Sequence, residues 1–359
     1  MANTPTTAVL QAAAMSLVYE NNLARQINRA APTLQILSKI PLRGQKAVDW
    51  EIVTGSANYA ATAPIAAGAD VTNFNRDTIT AAHLPITTYH EAFAYDGLAE
   101  AIAACSNSPT ELGNLRVYEM DNASERLGSA MGLHLWTGTG ANDQVMGLID
   151  PTSGALLDTG TYATVDKGAV TQFQGNVINA TTFNGGSLTP SLLRAGLTKV
   201  FKTARGSKRP TLGIFSASAF DKYAAIFDPQ RRYEFTTEIS VAGNQIKLDA
   251  GVDVMTFAGI PFIRDISIPE TTVGTLALLN TNETMIRYLP QPTSAELMNG
   301  VNITVTQDGQ QQSMGTGLTG KLMPLARTGD RAKWAIYVYW QVQCRTPNTN
   351  LLYTNLNIS

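Results

Sequence analysis

The chain has 359 residues, of which 44% are hydrophobic and only 15% charged. An ordinary soluble domain carries ~25% charged residues, so much of this surface is neutral or is covered in the working state. The 26 basic and 28 acidic residues leave a net charge of −2, which excludes the strongly basic balance of a nucleic-acid-binding domain and the composition of a disordered chain.

At ~150 residues per domain the length suggests about two domains. Cys105 and Cys344 stand far apart, which fits neither a disulfide framework nor a zinc pattern. They read as free thiols of a reducing compartment. The amino terminus has no basic stretch followed by a long apolar core, so no secretory signal is expected. No run approaches ~18 apolar residues, so no membrane span and no membrane partner are expected.

Residues 1–43 read as an N-terminal arm. Within it Val9 to Ala30 has helical spacing, and Pro32 and Pro41 interrupt the rest of the arm. Residues 44–95 read as an extended two-stranded loop. Its first strand alternates Val48, Trp50 and Ile52 with Ala47, Asp49 and Glu51. A second extended run spans Asp77 to Tyr95, and a change of parity near Ala82 predicts a bulge there. The 22 residues from Gly55 to Arg76 that join them carry Tyr59, Ile65, Val71 and Phe74. A two-stranded ribbon with an apolar tip is marginal alone in water, so it needs a surface to lie on.

A long helix comes next. Ser108-Pro109-Thr110-Glu111 is a capping box with proline at the first helical position, and apolar residues continue at helical spacing to Trp136. Residues 138–187 are rich in turns. Thr189-Pro190 opens a further helix whose expected buried face is Leu193, Leu197, Val200, Phe201 and Ala204. Leu212 to Phe215 reads as a buried strand, and Phe220, Tyr223, Ala224 and Phe227 as the face of the next helix. Strands are expected at Val252–Phe257, Pro261–Arg264, Thr275–Leu279, Thr284–Leu289, Asn302–Thr306, Trp334–Cys344 and Leu351–Ile358.

The chain is poor in catalytic motifs. His83, His90 and His134 share no ligand spacing. Gly213-Ile-Phe-Ser216 lacks the nucleophile-elbow pattern, and Gly138-Thr-Gly140 is followed by no Lys-Ser/Thr and follows a helix. No catalytic residue, metal or cofactor is therefore expected. The cluster Lys199, Lys202, Arg205, Lys208 and Arg209 reads as a solvated face, as an inter-subunit salt-bridge patch, or as a phosphate contact, in that order. The same holds for Arg231-Arg232.

The order of parts, arm, ribbon, long helix, strand region and compact α/β stretch, resembles the major capsid proteins of tailed bacteriophages. Local segments carry it. Lys46-Ala-Val-Asp-Trp-Glu-Ile52 and Ser56-Ala-Asn-Tyr59 resemble that family's extended loop. Leu135-Trp-Thr-Gly-Thr-Gly-Ala-Asn-Asp-Gln-Val-Met-Gly-Leu148 resembles the exit from its spine helix. Leu212-Gly-Ile-Phe-Ser-Ala-Ser218 and Phe257-Ala-Gly-Ile-Pro-Phe-Ile-Arg-Asp265 resemble its axial domain.

The resemblance implies the Hong Kong 97-type capsid fold, an α+β class. The arm would be 1–43, the extended loop 44–95, the peripheral domain 96–186 and 291–345 with its spine helix over 109–136, and the axial domain 187–290 and 346–359. It implies a structural subunit that assembles with itself into hexamers and pentamers of an icosahedral shell. Packaged double-stranded DNA would lie on the inner face without sequence-specific contacts. A portal protein, and scaffolding or decoration proteins made separately, would be further partners. The place would be the virion, after synthesis in the host cytoplasm. Trp50, Tyr59, Ile65, Phe74, Arg231 and Arg232 are the expected inter-subunit contacts. Only ~43 residues precede the ribbon, so no built-in scaffolding segment is expected. Gly55 to Asn75 holds no lysine, so the covalent ribbon link of some members is not expected. Two other readings compete: an encapsulin-like shell around cargo protein, and an α/β enzyme with residues 55–76 as a lid.

Overall fold

The computed structural model describes residues 31–42, 44–53, 78–105, 109–183, 185–204, 208–227, 238–241, 244–247, 254–270, 272–289, 306–307, 310–311, 321–326 and 329–358. The arm helix expected over Val9 to Ala30, the ribbon tip, Arg231-Arg232 and most of the strand expected at Asn302–Thr306 lie outside them. The chain divides into two compact units. One is Met1–Gln35, Thr88–Gly132 and Tyr288–Trp340; the other is Ile36–Thr87, Leu133–Arg287 and Gln341–Ser359.

The larger unit is organised by a six-stranded sheet. Its order is β11 (Val254–Phe257), β12 (Ile260–Arg264), β8 (Leu212–Phe215), β13 (Val273–Leu279), β19 (Leu351–Asn357) and β7 (Asn176–Asn179). The β12–β8 and β19–β7 pairs are parallel and the rest antiparallel. Helices α4 (Pro190–Thr203) and α5 (Ala217–Phe227) cover it. Their Leu192, Leu193, Val200, Phe220 and Tyr223 pack with Phe215, Phe262, Leu276, Leu351 and Tyr353 of the strands. Phe215, Tyr223 and Phe262 stack at centroid distances of 5.0–5.4 Å.

Helix α4 starts as its sequence requires: Thr189 accepts from the Leu192 N–H through its side chain, and Pro190 occupies the first turn. Its buried face is rotated from expectation. Leu192, Leu193, Gly196 and Val200 are buried, whereas Phe201 is 64% exposed. Gly196 decides the rotation, because a Cβ there would lie 1.8 Å from the Tyr353 hydroxyl. Glycine lets Tyr353 reach the Leu192 and Leu193 carbonyls at 3.1 Å.

The smaller unit contains β4 (Thr87–Asp96, from Thr88 on), α2 (Gly97–Cys105), most of α3 (Pro109–Thr137), β17 (Lys321–Leu325) and most of β18 (Arg331–Cys344). Strand β17 pairs antiparallel with β18 from Lys321↔Tyr337 to Leu325↔Lys333. Tyr89 meets Trp340 edge-on at 5.4 Å, and His90 stacks on Tyr337 at 5.7 Å. Along β18 the burial alternates through Ala332, Ile336, Val338 and Trp340 and then becomes continuous to Cys344.

Two expectations change in detail. The ladder between β2 (Ala47–Val53) and β3 (Ile79–Pro85) is unbroken at Ala82. The parity switch falls at Ile86, where Ala82 and Leu84 give way to Thr87, Tyr89, Phe93 and Tyr95 as the buried set. Pro85 lacks an N–H to continue the ladder, and the Ile86 N–H turns back to the Lys46 carbonyl at 3.1 Å. Helix α3 ends in a turn that folds back on its own last carbonyls. Leu148 and Ile149 donate to Leu135 and Trp136 at 2.9 and 2.8 Å. Gly147 permits this approach, since a Cβ would stand 2.6 Å from the Trp136 oxygen.

Candidate assembly surface

The ribbon begins as β2 (Ala47–Val53) and β3 (Ile79–Pro85), antiparallel in the register Ala47↔Pro85 to Val53↔Ile79. Alternation gives it two faces. The inner face carries Val48, Trp50, Ile52, Ala82 and Leu84, all buried except a half-buried Trp50. It lies on its own chain. Trp50 stands 6.5 Å from the Phe173 ring, Phe173 stacks on Tyr162 at 6.1 Å, and the His83 N–H donates to the Ala163 carbonyl at 2.9 Å. The base of the ribbon therefore has intramolecular support that its sequence does not announce. Trp50 is part of that support.

The outer face is exposed. Asp49 Oδ1 and His83 Nδ1 lie 2.7 Å apart across the ladder. Glu51 is exposed two pairs further on and has no ion pair among the described residues. At the far end Val53 and Ile79, paired with each other, are 49% and 58% exposed. Tyr59, Ile65 and Phe74 fall in the segment beyond, and Arg231 and Arg232 also lie outside the described residues.

The basic cluster is split by its surroundings. Lys199 donates to the Val177 carbonyl at 2.7 Å, and Lys208 pairs with Glu283. Arg194 and Lys202 are exposed on α4 and have no acidic partner among the described residues. They flank the exposed Phe201.

The structure also holds a buried cation that sequence reading missed. Lys167 is fully buried. Its Nζ donates to the carbonyls of Gly154, Ala155 and Leu157 at 2.7, 2.9 and 2.8 Å, and stands 5.6 Å from the Tyr162 ring centroid. Burial lowers its pKa to about 8, against the opposing pull of Cys344 and Asp158. Cys344 is buried and free, and burial pushes its thiol up to about 11. Its backbone N–H donates to the Tyr162 hydroxyl at 2.9 Å, which in turn donates to the Val342 carbonyl at 3.1 Å. A lysine in a turn-rich segment gives no local sign of such burial. Among the described residues no three His, Cys, Asp or Glu side chains converge as metal ligands, and no helix is long and apolar enough to cross a membrane.

Three of the segments whose order resembled a capsid protein meet in three dimensions. The Asp265 N–H donates to the Phe215 carbonyl at 2.9 Å, and the Trp136 indole donates to Asp265 Oδ2 at 3.2 Å. Comparison with solved structures agrees along nearly the whole chain. The capsid of cyanophage A-1(L) superposes with a TM-score of 0.69 at 16% identity, covering 99% of each chain. The chain has the Hong Kong 97-type capsid fold.

The SrpI encapsulin of Synechococcus elongatus PCC 7942 shares this fold more distantly, at a TM-score of 0.55 and 12% identity over 97% of this chain and 96% of that one. The capsid protein of a native GTA particle does so at 0.54 and 10% identity, over 93% and 92%. No protein-family model and no curated protein matches the chain.

Proposed function

We propose that this chain is the major shell subunit of a tailed bacteriophage. Copies associate into hexamers and pentamers that close an icosahedral capsid around double-stranded DNA. The observation that carries this reading is the end-to-end match to the cyanophage capsid subunit, over 99% of each chain. The low charge and the exposed apolar end of the ribbon support it, because assembly covers both.

On this reading the arm is 1–43 and the extended loop 44–95. The peripheral domain is 96–186 with 291–345, and the axial domain 187–290 with 346–359. The loop tip, with Tyr59, Ile65 and Phe74, and the pair Arg231-Arg232 contact neighbouring subunits. The subunit has no catalytic role. A portal protein occupies one vertex, and scaffolding or decoration proteins are separate chains. The assembled protein resides in the virion after synthesis in the host cytoplasm.

Electron microscopy of the expressed protein tests this reading, together with analysis of what the virion-derived particles contain. Closed shells holding DNA are expected. Shells filled with a second protein would move the reading to an encapsulin, and a small oligomer that never forms shells would overturn it.

A further inference from the structure

The larger unit holds two arginines close together, and neither has an ion pair among the described residues. Arg287 lies on β14 (Thr284–Tyr288), and Arg345 directly follows β18, the strand beside it. The Arg345 N–H donates to the Glu283 carbonyl at 2.9 Å, which ties these strand ends together. Arg287 is half-buried, and its Nε donates to Oε1 of the buried Gln343 at 2.7 Å. That bond orients the planar guanidinium and leaves its two terminal amino groups to bind something else. Arg345 is exposed. Burial, and after it the charge of Arg345, lowers the Arg287 pKa, so the two cations lie within each other's field. The carboxylate beside them, Glu283, is paired with Lys208, and the exposed Arg209 adds a cation next to that lysine.

We propose that Arg287 and Arg345 grip the phosphate backbone of the enclosed double-stranded DNA, with Lys208 and Arg209 at the margin of the contact. A guanidinium offers two parallel N–H donors to a phosphate, and the charge strengthens both bonds. Strands hold these two arginines in place before the anion arrives, so little order is lost on binding. An anion between them also relieves the repulsion of two like charges. Such contacts position DNA without reading its sequence. In a chain of net charge −2 the surface as a whole does not attract DNA, so a local cluster of cations has to. The inference rests on the proposed shell function and names the residues through which the shell meets its DNA.

Binding of the full chain to linear double-stranded DNA of mixed sequence is measured across a salt series. Each phosphate contact contributes about 0.9 to the slope of log affinity against log salt. Arg287→Gln with Arg345→Gln should therefore lower the slope by about 2, and Arg345→Gln alone by about 1. Arg345→Lys keeps the charge and should keep the slope. Arg194→Gln with Lys202→Gln, exposed cations of α4, should leave it unchanged. Circular dichroism checks that each variant folds. A second readout needs no substitution: phenylglyoxal should modify Arg287 and Arg345 more slowly in DNA-filled wild-type particles than in empty ones, as read by mass spectrometry. Slopes unmoved by the arginine variants, an equal loss from the α4 pair, or equal reactivity in filled and empty particles would overturn the contact while leaving the shell reading intact. Protection that follows an acidic protein of the particle, and not the DNA, would overturn it in the same way. Particles that hold protein and no DNA would overturn the phage-shell reading and the contact together.

Discussion

The indole N–H of Trp136, at the end of the long helix, donates to the buried carboxylate of Asp265 at 3.2 Å, across 129 residues of sequence. Asp265 also accepts the Ser267 N–H at 2.8 Å, and both Trp136 and Asp265 are essentially unexposed. A buried carboxylate is tolerated only where donors surround it. This bond fixes the helix exit against the end of β12.

The first prediction concerns that bond. Asp265→Ala leaves the indole N–H without its acceptor, and Trp136→Phe removes a donor from a buried charge. Each should destabilise the subunit by about 2–4 kcal/mol. Denaturant unfolding of both variants and the double variant should give a coupling energy of about 1 kcal/mol or more. Strict additivity would mean that the bond contributes nothing.

A second prediction arises from the Lys167 cage. Lys167→Met keeps the stem and removes the ammonium, so three inward carbonyls lose their donor. An unsatisfied buried acceptor costs about 1–3 kcal/mol, so the variant should lose several kcal/mol or fail to fold. Lys167→Arg should also destabilise, because a planar guanidinium does not fit three converging carbonyls. Thermal unfolding measures both, and a Met variant as stable as wild type would remove the structural role.

The same region sets a pH dependence of two opposing signs. The folded chain holds Lys167 at about 8, below its ordinary 10.5. Between those values the unfolded chain binds the extra proton, so this group adds stability as pH rises. Cys344 is held at about 11, above its ordinary 9.0. Between those values the folded chain binds the extra proton, so this group loses stability as pH rises. Each contribution is roughly 3 kcal/mol at 1.36 kcal/mol per unit. Relative to wild type, Cys344→Ser should gain stability from pH 9 to 11. Chemical denaturation across that range would show it, and a difference that stays flat would contradict the assignment.

The fourth prediction separates assembly from folding. Tyr59→Ala and Phe74→Ala, in the ribbon tip, should lower particle yield while leaving the subunit's circular dichroism unchanged. Leu193→Ala, at a side chain 1% exposed in the sheet-covering core, should cost about 2–5 kcal/mol of fold stability. Tip variants that unfold the subunit as severely as Leu193→Ala would place the tip in an intramolecular core.

Local signals settled the kind of several elements, although they gave no sign of α2 or β17. Thr189 with Pro190 marks the start of α4, the run from Leu212 to Phe215 is β8 residue for residue, and the long helix ends within a residue of its expected stop. Caps, prolines and periodicity act over a few residues, so a single sequence carries them in full. The ordered segments also sufficed to name the fold, although each is short. Tertiary contacts decided what periodicity leaves open. Phe201 faces out because Tyr353 fills the notch at Gly196, and a helical repeat tolerates rotation of its buried stripe by one residue. Trp50 lies on Phe173 of its own chain, a pairing across 123 residues that no local pattern encodes. Lys167 is buried because three carbonyls of one preceding turn converge on its ammonium, and a lysine looks the same in sequence whether water or backbone surrounds it. Apolar and charged residues announce that they need a partner, but only the folded chain determines which partner lies within reach.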